Sequence, residues 1–401
     1  MKKEFCFTFF LFLICLKLVA QASFNLNQGF IENKNYFQTV SYENRNGKII
    51  IEVQIENNPY RFLVDTGAVT VLSETLQNTV TTHHLGSIET TDQSGLTDSL
   101  NVVVIPEIKI DNLKFKDIRS LVAKDNSALF FDCLEIDGIL GSNMLKNTII
   151  QFRSDEKKII FTDKSKKLGL KRRHGFKMKV SQGQRSPYLP VRLLNNTQEG
   201  NEYVMFDSGD NKFYSPAQHI YEQFQAQADI FETLAESSGS FSVGFFGTAE
   251  DSRHTLVKIP ELTLGDLTFE NTISPTIYDD NSRMGAALLN YGILTLDFKK
   301  ERFWFESFDN KTTLEYKESV WPIHPVLNNQ NELVVGIIWD RTLDDKINVG
   351  DKLLKFGPID YKNMTPCEII NSTSKVETTE AQLILRDKNT GELKKLHIQK
   401  M

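Results

Sequence analysis

The chain contains a repeat. Val104-Ile105-Pro106-Glu107-Ile108-Lys109-Ile110-Asp111-Asn112-Leu113-Lys114-Phe115 is matched, proline included, by Lys258-Ile259-Pro260-Glu261-Leu262-Thr263-Leu264-Gly265-Asp266-Leu267-Thr268-Phe269. Upstream of each copy an apolar run enters a short acidic turn, Phe62-Leu63-Val64-Asp65-Thr66-Gly67 in one and Tyr203-Val204-Met205-Phe206-Asp207-Ser208-Gly209 in the other. Downstream, Gln151-Phe152-Arg153 with Ile159-Ile160-Phe161 parallels Asp297-Phe298-Lys299 with Phe303-Trp304-Phe305. Segments that recur in the same order describe one supersecondary unit used twice. Lobe one is therefore placed at 35–163 and lobe two at 175–308, joined by a basic stretch.

Within the lobes, short alternating runs at 48–54, 61–64, 101–105, 107–110 and 149–152, punctuated by Gly, Asn and Asp, read as strands and hairpins. The clearest helical periodicity is 215–234, with Pro216 suited to a first turn. A count of 28 Phe against 11 Pro and 22 Gly leans the same way, since aromatic side chains suit half-buried strands. The expected fold is mostly β, two pseudo-symmetric β-barrel lobes followed by a small α+β domain at 311–401.

At 401 residues the chain exceeds one ordinary core. Its formal net charge of -6 gives no broad cationic field, which speaks against nucleic acid as a partner. The basic runs Lys157-Lys158 and 164–173 read as solvated linker. His83-His84 reads as a polar turn, because no further ligand sits at zinc spacing, and neither metal nor cofactor is expected. Residues 1–22 have the layout of a signal peptide: Lys2 and Lys3, an apolar run over 5–19, and the small-residue site Ala20-Gln21-Ala22. Lys17 interrupts a run already short of the roughly 20 residues a spanning helix needs, so no membrane span is expected after cleavage. The mature chain is expected to be exported, whether periplasmic, cell-surface or secreted. Cys6 and Cys15 fall in the leader, and Cys133 and Cys367 lie far apart in different proposed domains. They read as two buried apolar thiols, with no disulfide framework and no nucleophile.

The chemistry sits in the paired turns. A duplication that ends a buried strand in Asp65 and again in Asp207 brings two carboxyls together about a pseudo-two-fold axis. Two such groups a few ångströms apart share one proton and titrate as a pair. The ionised member can take a proton from a water held between them while the other donates to a peptide carbonyl. Thr66 and Ser208 supply hydroxyls that can brace the turns against each other, and Gly67 and Gly209 allow tight backbone and close approach.

These motifs resemble the aspartic peptidase clan, including the retropepsin and pepsin families, over about two thirds of the chain. Phe62 to Ala68, continued by Thr70-Val71-Leu72-Ser73, matches the catalytic motif, and Asp137-Gly138-Ile139-Leu140-Gly141 followed by Asn143-Met144-Leu145 looks like the second. The resemblance implies that Asp65 and Asp207 are catalytic, that an apolar strand packs behind the first turn, and that 90–98 and 237–248 occupy the flap positions. It implies an exported endopeptidase of a bacterial secreted type acting on a polypeptide substrate. Lobe two departs twice: Gly285-Ala286-Ala287-Leu288 stands where a second Gly-Ile-Leu-Gly is expected, and Asp210 follows the Asp207 turn where the family has a small residue. A third carboxylate there would either raise the pair by like-charge repulsion or mark a site that has decayed.

In the last 90 or so residues, Asp345 to Gly357, with Gly350-Asp351 before an apolar strand, resembles the middle of a PDZ domain, which would bind a peptide C-terminus by strand addition. The usual Gly-rich carboxylate loop is replaced by Pro325-Val326-Leu327-Asn328-Asn329. The alternative reading is a catalytically inactive protease-like protein that binds peptides through its lobes or this domain. A glycosidase using the same carboxylates lacks an aromatic sugar platform.

Overall fold

The computed structural model describes residues 24–124, 127–308, 310–316, 319–372 and 376–401; the expected leader at 1–22 lies outside them. The protein is mostly β, with two related lobes, as the repeat requires. Each lobe is built on a nine-stranded sheet, and a six-stranded sheet draws its strands from both. In that shared sheet Ile149–Arg153 of lobe one runs antiparallel to Gly292–Asp297 of lobe two, pairing Ile149 with Asp297 and Phe152 with Leu294. The seam is buried: Gln151 Nε2 donates to Thr295 Oγ1 at 2.8 Å, and Phe152 lies edge-on to Phe206 of lobe two, centroids 5.9 Å apart. Such an aromatic pair contributes about 0.5–1.5 kcal/mol beyond the area it buries.

The repeated Pro segment does the same work in both lobes. Thr97–Ile110 and Leu113–Val122 form a hairpin turned at Asp111 (φ 49°), and Ser252–Leu264 and Leu267–Pro275 form its counterpart turned at Gly265 (φ 62°). Pro106 lies opposite Asp117 (φ 53°) and Pro260 opposite Asn271 (φ 57°), at the one interrupted place in each ladder. Proline has no N–H to give, so the partner strand can turn there without losing a bond. Asp and Asn tolerate the left-handed backbone this demands.

The helix expected at 215–234 is shorter, Gln218–Gln227, and its last residues belong instead to the strand Glu232–Gly239. Ladder pairing with Ser252–Leu264 outweighs the local helical pattern. His83 and His84 are exposed but open the strand His83–Thr91 and do not form a turn. The basic stretch forms two 3-10 turns, Ser165–Leu168, half-buried except at Lys166, and Arg172–His174, which is exposed.

The C-terminal segment folds on its own antiparallel sheet, in the order Ile323–Leu327, Leu333–Ile338, Lys352–Phe356, Glu380–Arg386, Leu393–Gln399, with the helix Pro366–Ser372 across it. The Gly350-Asp351 motif is structural here. Asp351 is fully buried, accepts from Asn348 N (2.9 Å) and Lys388 N (3.0 Å), and pairs with Lys394 Nζ at 2.7 Å.

The cysteine expectation is overturned. Cys133 and Cys367 form a disulfide between residues 234 apart in sequence. Helix Ala128–Leu134 of lobe one packs beside Pro366–Ser372 and brings the two Cα atoms to 4.6 Å. Sequence separation carries no information on such a tertiary approach. The same contact is reinforced by Asn371, which donates to Cys133 O (3.3 Å) and accepts from Asn46 Nδ2 (2.7 Å).

Candidate active site

Asp65 ends the strand Asn58–Asp65 and Asp207 ends Gln198–Asp207. Behind each lies a parallel strand: Gly138–Gly141 aligns Gly141 with Asp65, and Arg283–Gly285 aligns Gly285 with Asp207. Gly285 therefore takes the place of the last glycine of the lobe-one motif, and Gly285-Ala286-Ala287-Leu288 is not a degraded copy of the whole. A Cβ at Gly141 would strike the backbone of Val69 and Thr70, and one at Gly285 that of Lys212 and Asp210, so both positions exclude a side chain for the same reason. The true counterpart of Ile139 is Arg283.

The structure brings all six sequence-predicted residues together. Thr66 Oγ1 donates to Phe206 O (2.7 Å) and accepts from Ser208 N (3.0 Å); Ser208 Oγ donates to Val64 O (2.8 Å) and accepts from Thr66 N (3.1 Å). Both hydroxyls are fully buried, and the four bonds lock one turn to the other. Gly67 N donates to Asp65 Oδ1 at 2.8 Å and Gly209 N to Asp207 Oδ1 at 2.9 Å. A Cβ on Gly67 would lie 2.5 Å from Asp207 Cγ, and one on Gly209 would likewise collide with Asp65. Each glycine is thus needed so that the opposite carboxyl can come close.

Burial, and then the charge of Asp207 with a hydrogen bond to it, pushes the Asp65 carboxyl well above the usual range; the Lys48 cation opposes this. Lys48 donates to the Gly209 carbonyl, crossing from lobe one to the lobe-two turn. Asp210, the third carboxylate, accepts from Lys212 N (3.0 Å) and faces the cations of Lys212 and Arg283, which offset its charge at that turn.

Arg283 was invisible as a site residue in the sequence. Its Nη1 lies 3.2 Å from Asp207 Oδ2 and 3.0 Å from Gln93 Oε1, and Nη2 pairs with Asp279. Only strand register reveals it, because in the aligned repeat an apolar residue holds that position.

The carboxyls floor a cleft of about 790 Å³. Lobe one lines it with the apolar Ala68, Leu121, Phe130 and Ile139 beside Lys48 and Gln93, and lobe two with Tyr188, Asp279 and Arg283 beside Met205 and Phe245. The two hairpin tips meet above it: Phe246 N donates to Asp92 Oδ2 at 2.7 Å, and Phe245 packs edge-on against Phe130 and Phe131. Among the described residues no cluster of His, Cys, Asp and Glu is placed to hold a metal ion.

Residues 51–147 match the family described as gag-polyprotein putative aspartyl protease. No curated protein matches the chain. Among solved structures, the aspartic proteinase from Irpex lacteus aligns at 12% identity and TM-score 0.40, covering 68% of this chain and 97% of that one. Basic 7S globulin from soybean aligns at 13% and 0.41, covering 68% and 94%. A retropepsin-like aspartic protease from Rickettsia conorii aligns at 17% and 0.23, covering 33% and 93%.

Proposed function

We propose that the protein is an exported aspartic endopeptidase that hydrolyses peptide bonds with a water held between Asp65 and Asp207. The observation that carries this is the reciprocal Thr66–Ser208 brace together with two glycines that leave room for the opposite carboxyls. The aspartyl-protease match over 51–147 supports it from the sequence side. In this reading the water oxygen attacks the carbonyl carbon, one water proton passes to the ionised carboxylate, and the protonated carboxyl gives its proton to the carbonyl oxygen. The resulting gem-diol collapses when the carboxyl that took the water proton gives it to the amide nitrogen, the C–N bond breaks, and a gem-diol hydroxyl returns its proton to the other carboxylate as the new acid's C=O forms. The 790 Å³ cleft and its hairpin roof suit an extended polypeptide. The Cys133–Cys367 disulfide supports the exported location, since such bonds persist in oxidising compartments.

The C-terminal domain acts in this reading as a clasp and not as a PDZ-type receptor for a chain terminus. A peptide added at Leu333–Ile338 would have to meet backbone that lobe two already meets: Ser237 Oγ accepts from Ile338 N at 3.4 Å, and Ser240 O lies against Gly336 so closely that a Cβ there would collide with it.

The test is cleavage of an unfolded protein substrate across acidic to neutral pH by the wild type, Asp65→Asn and Asp207→Asn. Wild-type cleavage that both variants abolish while staying folded is expected. Equal inertness of three folded proteins would move the assignment to the inactive, peptide-binding alternative.

A further inference from the structure

The two walls of the candidate site are chemically unlike at one matched position. Strand register puts Ile139 beside the Asp65 strand and Arg283 beside the Asp207 strand. A symmetric pair of carboxyls has no reason to place its single proton on one member; a cation on one side supplies that reason. We propose that Arg283 is a positioning residue that fixes Asp207 as the ionised member of the pair and Asp65 as the member carrying the proton, which extends the working range of the pair toward lower pH. This deepens the peptidase reading and rests on it for its catalytic meaning, though not for its test.

The charges around the two carboxyls decide the direction. Arg283 Nη1 reaches Asp207 Oδ2 at 3.2 Å with the guanidinium largely covered, 11% of its side chain exposed against 7% for Asp207, so solvent screens the pair little. Arg283 also faces Asp279, with which it pairs, and Asp210 on the turn after Asp207. Lys212 on that turn and Tyr188 from the strand Pro187–Asn195 face it as well, the lysine as a second cation and the tyrosine as a neutral phenol. On the lobe-one side the cation is Lys48, whose ammonium is given to the Gly209 carbonyl. The direct contact at Asp207 outweighs the more distant one at Asp65, so the negative charge settles on lobe two. Asp65, half-buried next to that charge, holds its proton.

Gln93 adds a link to access. It sits at the tip of the lobe-one hairpin and accepts from the same Nη1 that touches Asp207. Closure of that hairpin therefore holds the guanidinium against the carboxylate it polarises.

The cation stabilises the singly ionised pair over the neutral pair, so its removal must raise the first ionisation of the pair. Opposite charges in contact typically move a carboxyl by about 1–3 pH units; because Arg283 is shared with Asp279, a shift of about one unit is expected. The experiment is 13C NMR titration of the aspartate carboxyls in the full chain, with Asp65 and Asp207 assigned through Asp65→Asn and Asp207→Asn. It compares wild type, Arg283→Met and Arg283→Lys. The double variant Asp279→Asn, Arg283→Met removes the carboxylate that the single change would leave buried and unpaired, and keeps the titration usable if Arg283→Met alone does not fold. Expected are an Asp207 signal that ionises first in wild type, a rise of about one unit without the cation, and return toward wild type with Lys. The acid limb of the cleavage profile should move with it. An unmoved first ionisation in the variants lacking the cation overturns the proposal, as does a shift in Arg283→Lys equal to that in Arg283→Met. If wild type cleaves nothing at any pH, the peptidase reading falls while the carboxyl titration still decides the role of Arg283.

Discussion

Thr66 and Ser208 are the places where the pairing of the two turns can be measured without any assumption about activity. Thr66→Val keeps the shape of the side chain and removes its hydroxyl, so Ser208 N loses its acceptor and Phe206 O its donor, both in a fully buried setting. Each buried group left unpaired costs about 1–3 kcal/mol, which puts the variant at about 2–6 kcal/mol. Ser208→Ala strips Thr66 N and Val64 O in the same way and should cost a similar amount. The hydroxyls do not bond each other, yet they clamp the same pair of turns, so loss of either lets the turns part and loosens the bonds made by the other. The double variant should therefore cost less than the sum of the singles, with a coupling of about 0.5–3 kcal/mol. The assay is equilibrium urea unfolding in a Trp321→Phe, Trp339→Phe background, leaving Trp304, buried in the sheet shared by the lobes, as the reporter. Additivity of the two changes to within about 0.5 kcal/mol would refute the claim that the turns are held as one unit.

Replacing Cys133 and Cys367 together by Ser opens a loop whose ends are 234 residues apart, and should destabilise the docked C-terminal domain by about 2–4 kcal/mol, read as a lower urea midpoint for Trp321 and Trp339 fluorescence. An unchanged midpoint would show that the noncovalent contacts alone hold the domain. His324 gives a pH dependence: burial, and then the nearby Lys212 cation, pushes it down to about 3, while its Nε2 meets Phe241 O at 2.9 Å. Between that value and the unfolded value of about 6.5 the unfolded chain binds a proton that the folded chain does not, so stability falls on acidification by about 1.4 kcal/mol per pH unit. His324→Gln should flatten the fall of the melting temperature between about pH 6 and pH 4, and an equal slope in both proteins would remove His324 as its cause.

The repeat was legible because it is local sequence copied once: the two Pro-containing hairpins and the two acidic turns can be read by eye, and with them the β lobes. What was not legible depends on register and on approach between distant segments. The alignment of Gly285 with Asp207 is set by parallel pairing, and without it the eye matches Gly285 to the first glycine of Gly138-Ile139-Leu140-Gly141 when it stands for the last. Arg283 follows from the same slip, since the residue that faces the carboxyls is known only once the register is. The helix at Gln218–Gln227 ended early because the residues after it are claimed by a strand partner more than twenty positions away. The disulfide was missed because two cysteines in separate domains give no sign in the sequence that their helices lie side by side.

The C-terminal domain touches both lobes, and its two contacts converge on the roof of the cleft. On the lobe-one side the disulfide fixes helix Ala128–Leu134, whose Phe130 and Phe131 pack against Phe245 of the lobe-two hairpin. On the lobe-two side His324 stacks on Phe241 at 4.3 Å, at the start of that hairpin's connecting loop, and Lys212 of the Asp207 turn lies over the same ring at 4.0 Å. Gly239 of the hairpin approaches Gly336 so closely that a Cβ on either would strike backbone. The lobe-two hairpin is thus held along its connecting loop by both the C-terminal domain and lobe one, whereas the lobe-one hairpin is held at its tip by Asp92 to Phe246 N and by Gln93 to Arg283 and Val243 O. A polypeptide entering the cleft therefore has the lobe-one hairpin to move, at the cost of these two hydrogen bonds, a third from Gln93 Nε2 to Val243 O, and apolar contact with Phe245 and Phe246. The lobe-two hairpin would have to break an aromatic cluster and a backbone contact for the same opening. The asymmetry of the roof matches that of the floor, where Arg283 stands on one side and Ile139 on the other.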